Sequence, residues 1–249
     1  ELIDYTSELR QQALDILENF DWGKEPFTPL IHEGNELGKL ATINCPSGSP
    51  NTGAEPSADP ETGLVFISMV RNCRCPQIPP GSELDDPDDP IFSGTNTTPA
   101  FITGETTLDW VGGLGNAGCG GPQGLPLWRP PYSRIVAIDM NTGEHVWWVP
   151  NGDTPDRIRN HPALQGVDLP NTGVGSLAPT LVTRTLLLHT GEPYLYALDK
   201  QTGERLGRLE LPAPGSYGLI TYTHEGQQHI VVQVNSADLP NSLVALRLP

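Results

Sequence analysis

Basic side chains are scarce in this sequence. Its 249 residues carry 14 Lys and Arg against 30 Asp and Glu, a formal charge of −16. That balance argues against a nucleic-acid partner, because neutralising phosphates requires a basic surface, and it disfavours anionic membrane surfaces for the same reason. Acidity of this kind supports solubility and says little about fold. No stretch reaches the ~18 apolar residues of a transmembrane helix. Residue 1 is Glu, with structured-looking sequence directly after it and no signal peptide, so the chain reads as a mature product or a fragment.

Catalytic motifs are missing too. The six histidines (His32, His145, His161, His189, His224, His229) form no His-Glu-x-x-His pattern, and no Gly-x-Ser-x-Gly elbow occurs. Gly112-Gly113-Leu114-Gly115 lacks the strand–helix context of a phosphate loop. His224 and His229 flank a hairpin turn and read as surface residues; His161, before Pro162, reads as structural. The four cysteines, Cys45, Cys73, Cys75 and Cys119, all sit in Gly/Pro-rich loops. Two disulfides in an oxidising compartment, with three pairings, and free thiols both stay open. Zinc is disfavoured, because Cys73-Arg74-Cys75 is not Cys-x-x-Cys and no His pair stands near it.

What the chain has in abundance is turns. Its 27 Gly and 26 Pro exceed a fifth of the residues without a collagen-like period. One segment, 7–20, places Leu9, Ala13, Ile16, Leu17 and Phe20 on one helical stripe, with Thr6 or Ser7 as N-cap and Gly23 and Pro26 as stops. Beyond it the pattern predicts strands at 39–44 and 64–70, then a long irregular stretch over 71–130. Regular pairs follow: 134–139 with 146–149, 177–183 with 186–190, 194–199 with 205–211, 219–224 with 229–234, and a last strand at 242–248.

An internal repeat selects among all-β architectures. Ile135-Val-Ala-Ile-Asp-Met-Asn-Thr-Gly-Glu144 aligns with Leu195-Tyr-Ala-Leu-Asp-Lys-Gln-Thr-Gly-Glu204, and Leu243-Val-Ala-Leu-Arg247 repeats the first half. A repeat of roughly 40–60 residues, with four strand-like pieces per unit, is the signature of propeller blades. Asp and Thr side chains can bond the turn backbone and Gly supplies positive φ, which closes a tight hairpin. The Ala must be small where blades meet. The first copy ends in Trp147, a ring available to pack on a neighbouring blade; the second has Gly207 there. The expectation is an all-β chain, a partial β-propeller of about three blades. It has one N-terminal helix and a long irregular insertion: 1–38 helix and lead-in, 39–150 blade with insertion, 151–212 blade, 213–249 partial closing blade.

Several pieces together resemble the C-terminal part of pyrroloquinoline-quinone (PQQ)-dependent dehydrogenases, above all the membrane-type glucose dehydrogenase branch. They are Phe27-Thr-Pro29, Ala58-Asp-Pro-Glu-Thr-Gly-Leu-Val-Phe66, Gly124-Leu-Pro-Leu-Trp128, Pro130-Pro-Tyr132, Ala137–Trp147, Gly152-Asp-Thr-Pro155, Arg159-Asn-His-Pro162 and Gly226–Val232. The resemblance implies an eight-bladed propeller with PQQ and Ca²⁺ in its funnel and an Asp as general base. It also implies a sugar or alcohol substrate and a membrane quinone or cytochrome as electron acceptor. The metal ligands and the base belong to the part preceding this chain, so no catalytic or metal-ligating residue is assigned here, and this chain alone is expected to be inactive. Asn51-Thr52 stands where the family often has Asn-Trp, and Gly175-Ser176 where a Gly-Gly loop approaches the cofactor. These four are the expected quinone contacts. Asn51 as a turn residue and Gly175 as a strand-entry glycine remain the plain alternatives, and Asn235–Pro240 departs from a Gly-rich family loop. The implied compartment is periplasmic or extracellular, with membrane association through a preceding region. The alternative function is a non-catalytic propeller serving as an envelope scaffold.

Overall fold

In the computed structural model the described residues are 1–23, 28–32, 34–43, 55–71, 75–77, 100–101, 120–175 and 178–247. In chain order, helix α1 (Ser7–Leu17) precedes β1 (Phe20–Asp21), β2 (Ala41–Thr42), β3 (Ser57–Asp59), β4 (Leu64–Val70), β5 (Pro76–Gln77) and β6 (Ala100–Phe101). Then come β7 (Ser133–Asp139), β8 (His145–Pro150), the one-turn helix α2 (Asp156–Arg159) and β9 (Thr180–Val182). β10 (Leu186–Gly191), β11 (Tyr194–Asp199), β12 (Arg205–Glu210), β13 (Gly215–His224), β14 (Gln227–Val234) and β15 (Ser242–Arg247) complete the order. The chain divides into two compact units, 1–47 with 72–129 and 160–168, and 48–71 with 130–159 and 169–249.

The second unit holds three antiparallel sheets: β3-β4-β7-β8, β9-β10-β11-β12 and the three-stranded β13-β14-β15. They are referred to below as the first, second and third sheets. Each is an up-and-down meander, the form of a propeller blade, and the fold is a partial β-propeller. Side chains alternate along these strands, so one face of each sheet meets its neighbour. In β4 every second residue is buried: Leu64, Phe66, Ser68 and Val70. Leu64, Phe66, Ile135 and Ala137 of the first sheet close a core with Leu187 and Leu198 of the second and with Ala178, just ahead of β9. Leu188 and Leu195 point the other way and pack with Leu219, Val232 and Val234 of the third. At ~25 cal/mol per Å² of apolar surface buried, these two seams are the main driving force for the unit.

The first unit is built around α1. Thr6 is the N-cap, its Oγ1 accepting from Leu9 N–H at 3.1 Å. The helix ends at Leu17, three residues short of the apolar stripe. Phe20 is buried, but as part of β1, which pairs in parallel with β2. Its burial therefore comes from a strand pairing that helical periodicity cannot report. The strand expected over 39–44 is confined, among described residues, to Ala41–Thr42. Ile3 N–H donates to Leu127 O at 2.9 Å and Leu2 bridges Trp128, which ties the first residues into a core with Leu125 and Leu127. His161 is structural as expected: it caps the 3-10 turn Pro162–Leu164, its Nδ1 accepting from Ala163 N–H at 3.2 Å. Cys75 is fully buried and disulfide-bonded, to a partner outside the described residues.

Candidate functional site

The repeated turn behaves as its chemistry requires. In the first copy Asp139 Oδ1 accepts from Asn141 N–H at 2.7 Å, and Thr142 Oγ1 accepts from Glu144 N–H at 3.2 Å. In the second, Asp199 Oδ1 accepts from the N–H groups of Gln201 and Thr202 at 2.8 and 2.9 Å. Those bonds hold the Asp199 carboxyl below the usual carboxylate range. Gly143 and Gly203 share φ = +76°, a left-handed conformation that costs glycine nothing. Both copies also carry a register shift just after the alanine, between Ala137 and Ile138 and between Ala197 and Leu198.

A third turn of this type stands outside the repeat. Asp59-Pro-Glu-Thr-Gly63 closes β3 onto β4, with Asp59 Oδ1 accepting from Glu61 N–H at 3.1 Å and Gly63 at φ = +72°. The Asp-x-x-Thr-Gly spacing was legible; the missing Ala two residues before the Asp hid it. This turn joins the first two strands of its sheet, whereas the other two join the third and fourth.

Two of these turns, at Asp199 and at Asp59, lock one blade to the next. Trp147 lies over the second-copy turn: its Nε1–H donates to Lys200 O at 3.2 Å, and a Cβ on Gly203 would come 2.7 Å from its Cε3. Its cross-strand partner is Ala137, and Phe66 packs on the ring at 5.8 Å. At Gly207, where the second copy lacks the tryptophan, a Cβ would meet nothing within 4 Å. Lys200 Nζ then pairs with Asp59 Oδ2 at 2.6 Å, with both side chains over nine-tenths buried. The bond from Lys200 is the chief cause that keeps the Asp59 carboxyl below its ordinary value.

A second polar cluster lies on the second sheet. Asp153 takes Arg205 at 2.7 Å and Arg208 at 2.6 Å. The two guanidinium groups cover the rings of Tyr196 and Tyr194 at 4.5 and 4.4 Å. Burial pushes the Asp153 carboxyl up, but the bond and charge of Arg205, with Arg208 and Arg159, leave it below the ordinary value. Beneath Tyr196, His189 stacks at 5.0 Å, fully enclosed, with Nδ1–H directed to Thr190 O at 3.2 Å. Desolvation pulls its pKa down to about 4, so the ring is neutral at pH 7. No sequence motif marked His189; its place in the apolar run Leu186–His189 was the available signal. Nearby, burial raises the Glu192 carboxyl against the charge of Arg157.

Of the four expected quinone contacts, Gly175 is placed and Asn51, Thr52 and Ser176 lie outside the described residues. Gly175 is buried with φ = +81°, in the approach to β9. Its N–H donates to Ser133 Oγ at 3.0 Å. That bond engages the Gly175 N–H within the protein, and the glycine itself carries no Cβ. Among the described residues no three His, Cys, Asp or Glu gather into a metal-binding group.

The model of the PQQ family, the glucose/ethanol/alcohol dehydrogenase β-propeller domain, matches residues 1–230. A "probable quinate dehydrogenase (quinone)" of Xanthomonas campestris pv. juglandis is 32% identical over 139 residues, 51% of this chain and 17% of that protein. Quinoprotein glucose dehydrogenase A of Acinetobacter calcoaceticus is 29% identical over 133 residues, again 51% of this chain and 17% of the relative. Quinoprotein glucose dehydrogenase of Escherichia coli K12 is 27% identical over 242 residues, 90% of this chain and 28% of the relative. The chain therefore spans under a third of the length of each.

Proposed function

Since the chain belongs to the PQQ family of glucose/ethanol/alcohol dehydrogenase β-propeller domains, we propose that it is the C-terminal part of a PQQ-dependent oxidoreductase acting on a sugar or alcohol. The observation that carries this reading is the family match across residues 1–230. The same reading assigns Gly175, with Asn51, Thr52 and Ser176, to the quinone, and leaves the Ca²⁺ ligands and the general base to the remaining blades. When bound, PQQ supplies the two-electron acceptor for a carbon–hydrogen bond next to a hydroxyl. This chain's own residues contribute rigidity: the Trp147 lock and the Asp59–Lys200 pair tie the first sheet to the second. Electrons pass to a membrane quinone or a cytochrome, and the compartment is periplasmic, which the disulfide at Cys75 supports.

The test is reconstitution of the full-length protein with PQQ and Ca²⁺, followed by dye reduction over glucose, quinate, ethanol and related alcohols. Turnover of at least one substrate, dependent on both additions, is expected. Failure to bind PQQ at micromolar concentration refutes the reading and leaves the non-catalytic scaffold. The 249-residue chain alone is expected to show no turnover in the same assay.

A further inference from the structure

Two serines occupy positions that the strand pattern reserves for apolar side chains. Ser68 is a core-facing residue of β4, between Phe66 and Val70, and Ser133 opens β7. The pairings Ser68↔Ile135 and Val70↔Ser133 put all four residues on one face of the first sheet. Both serines are 0% exposed. A buried hydroxyl without a partner is costly, and each of these is satisfied outside its own sheet. Ser133 Oγ accepts from Gly175 N–H at 3.0 Å and Ser68 Oγ accepts from Ala178 N–H at 2.9 Å. Both amides lie ahead of β9, where no strand ladder takes up their N–H groups, so a side-chain oxygen must do so.

The stretch leading into Gly175 is held by residues that flank β7 and β8. Tyr132 N–H donates to Thr172 O at 2.7 Å, and Val174 N–H donates to Asn151 O at 2.8 Å. At Gly173, with φ = +67°, a Cβ would lie 2.5 Å from Ser133 O. Ser133 therefore meets this stretch with both its backbone and its hydroxyl, and Ser68 takes hold three residues further on.

We propose that Ser133 and Ser68 are positioning residues for the cofactor: two hydroxyls on the first sheet clamp the amides of Gly175 and Ala178 and set where the Gly175 backbone meets PQQ. This rests on the functional reading above. A hydroxyl is suited to the task because it accepts one directed bond while occupying little more volume than a methyl group.

The test measures PQQ affinity of the full-length protein by equilibrium dialysis, without any turnover assay, for wild type, Ser133→Ala, Ser68→Ala and Gly143→Ala. The last perturbs a remote turn and controls for general destabilisation. The expected result is a PQQ Kd raised about tenfold or more by each serine variant, the scale of one net hydrogen bond, and unchanged in Gly143→Ala. Serine variants that bind like wild type, or a Gly143→Ala that weakens binding equally, overturn the clamp while the functional reading stands. A wild-type protein that does not bind PQQ overturns both. Hydrogen exchange on the wild type guards against variants that fail to fold. The Gly175 and Ala178 amides should be protected in the apoprotein and slow further with PQQ, while the Asp199–Glu204 turn does not change. No added protection at these amides also refutes the clamp.

Discussion

Gly143 and Gly203 form a controlled experiment inside one chain. Both stand in the same turn sequence at φ = +76°. A Cβ on Gly143 would have nothing within 4 Å, whereas one on Gly203 would lie 2.7, 2.9 and 3.1 Å from Cε3, Cδ2 and Cζ3 of Trp147. Gly143→Ala should therefore cost only the left-handed strain of a non-glycine residue, about 1 kcal/mol. Gly203→Ala should add displacement of the indole, whose full loss is bounded by the roughly 3–5 kcal/mol of a Trp→Ala truncation. A total of about 3 kcal/mol is expected, because the ring keeps part of its contact with Phe66. In a domain of this size that separates the melting temperatures of the two variants by roughly 4–8 °C. Urea unfolding followed by circular dichroism gives the same comparison in free energy. The double variant Trp147→Ala/Gly203→Ala supplies the second half: with the ring gone, alanine at 203 should cost no more than alanine at 143. If the two single glycine variants agree within about 0.5 kcal/mol, or if the Trp147 and Gly203 effects simply add, the indole lock does not carry the coupling between these blades.

His189 makes the fold sensitive to acid. Its folded pKa of about 4 lies below the unfolded 6.5, so the unfolded chain binds more protons and stability falls as pH drops from 6.5 towards 4. The loss at pH 4.5 is about 2.5 kcal/mol, and His189→Phe, which keeps a ring on Tyr196, should remove that slope; an unchanged slope refutes the assignment. Asp59 works in a lower window. Its folded pKa is depressed, so its contribution is present above the ordinary carboxylate pKa near 3.8 and is lost as pH falls through the folded value. Lys200→Met should cost about 3 kcal/mol by leaving Asp59 buried and uncompensated, and Asp59→Asn/Lys200→Met should cost less than the sum of the singles; strict additivity shows that the pair is not coupled. Cys75→Ala should cost about 2–5 kcal/mol, and unreduced peptide mapping should find Cys75 cross-linked, a result that alkylation of a free Cys75 thiol would contradict.

The architecture was legible because hairpin turns are local chemistry. Asp, Thr and Gly at fixed offsets satisfy backbone groups within five residues, and the strands on either side alternate with period two, so both the sheets and the blade repeat could be read along the chain. The size of Trp147 and the absence of a counterpart at Gly207 were visible in the same way. The helix end was less legible: Phe20 continues the stripe of α1, yet its burial comes from pairing with Ala41, twenty-one residues away in the sequence. The turn at Asp59 was hidden because one residue of its pattern is missing.

The seat of Trp147 on Gly203, the pairing of Asp59 with Lys200, and the bonds from Gly175 and Ala178 to Ser133 and Ser68 were decided by tertiary structure alone. Each joins residues 40 or more positions apart across the seam between two blades. A single buried serine or lysine in a strand or turn carries no periodic signal; its partner exists only once two sheets have packed. By itself the sequence determined which segments turn, which alternate and which family they resemble. Packing determined which side chains meet, because a buried polar group is stable only beside the group that satisfies it.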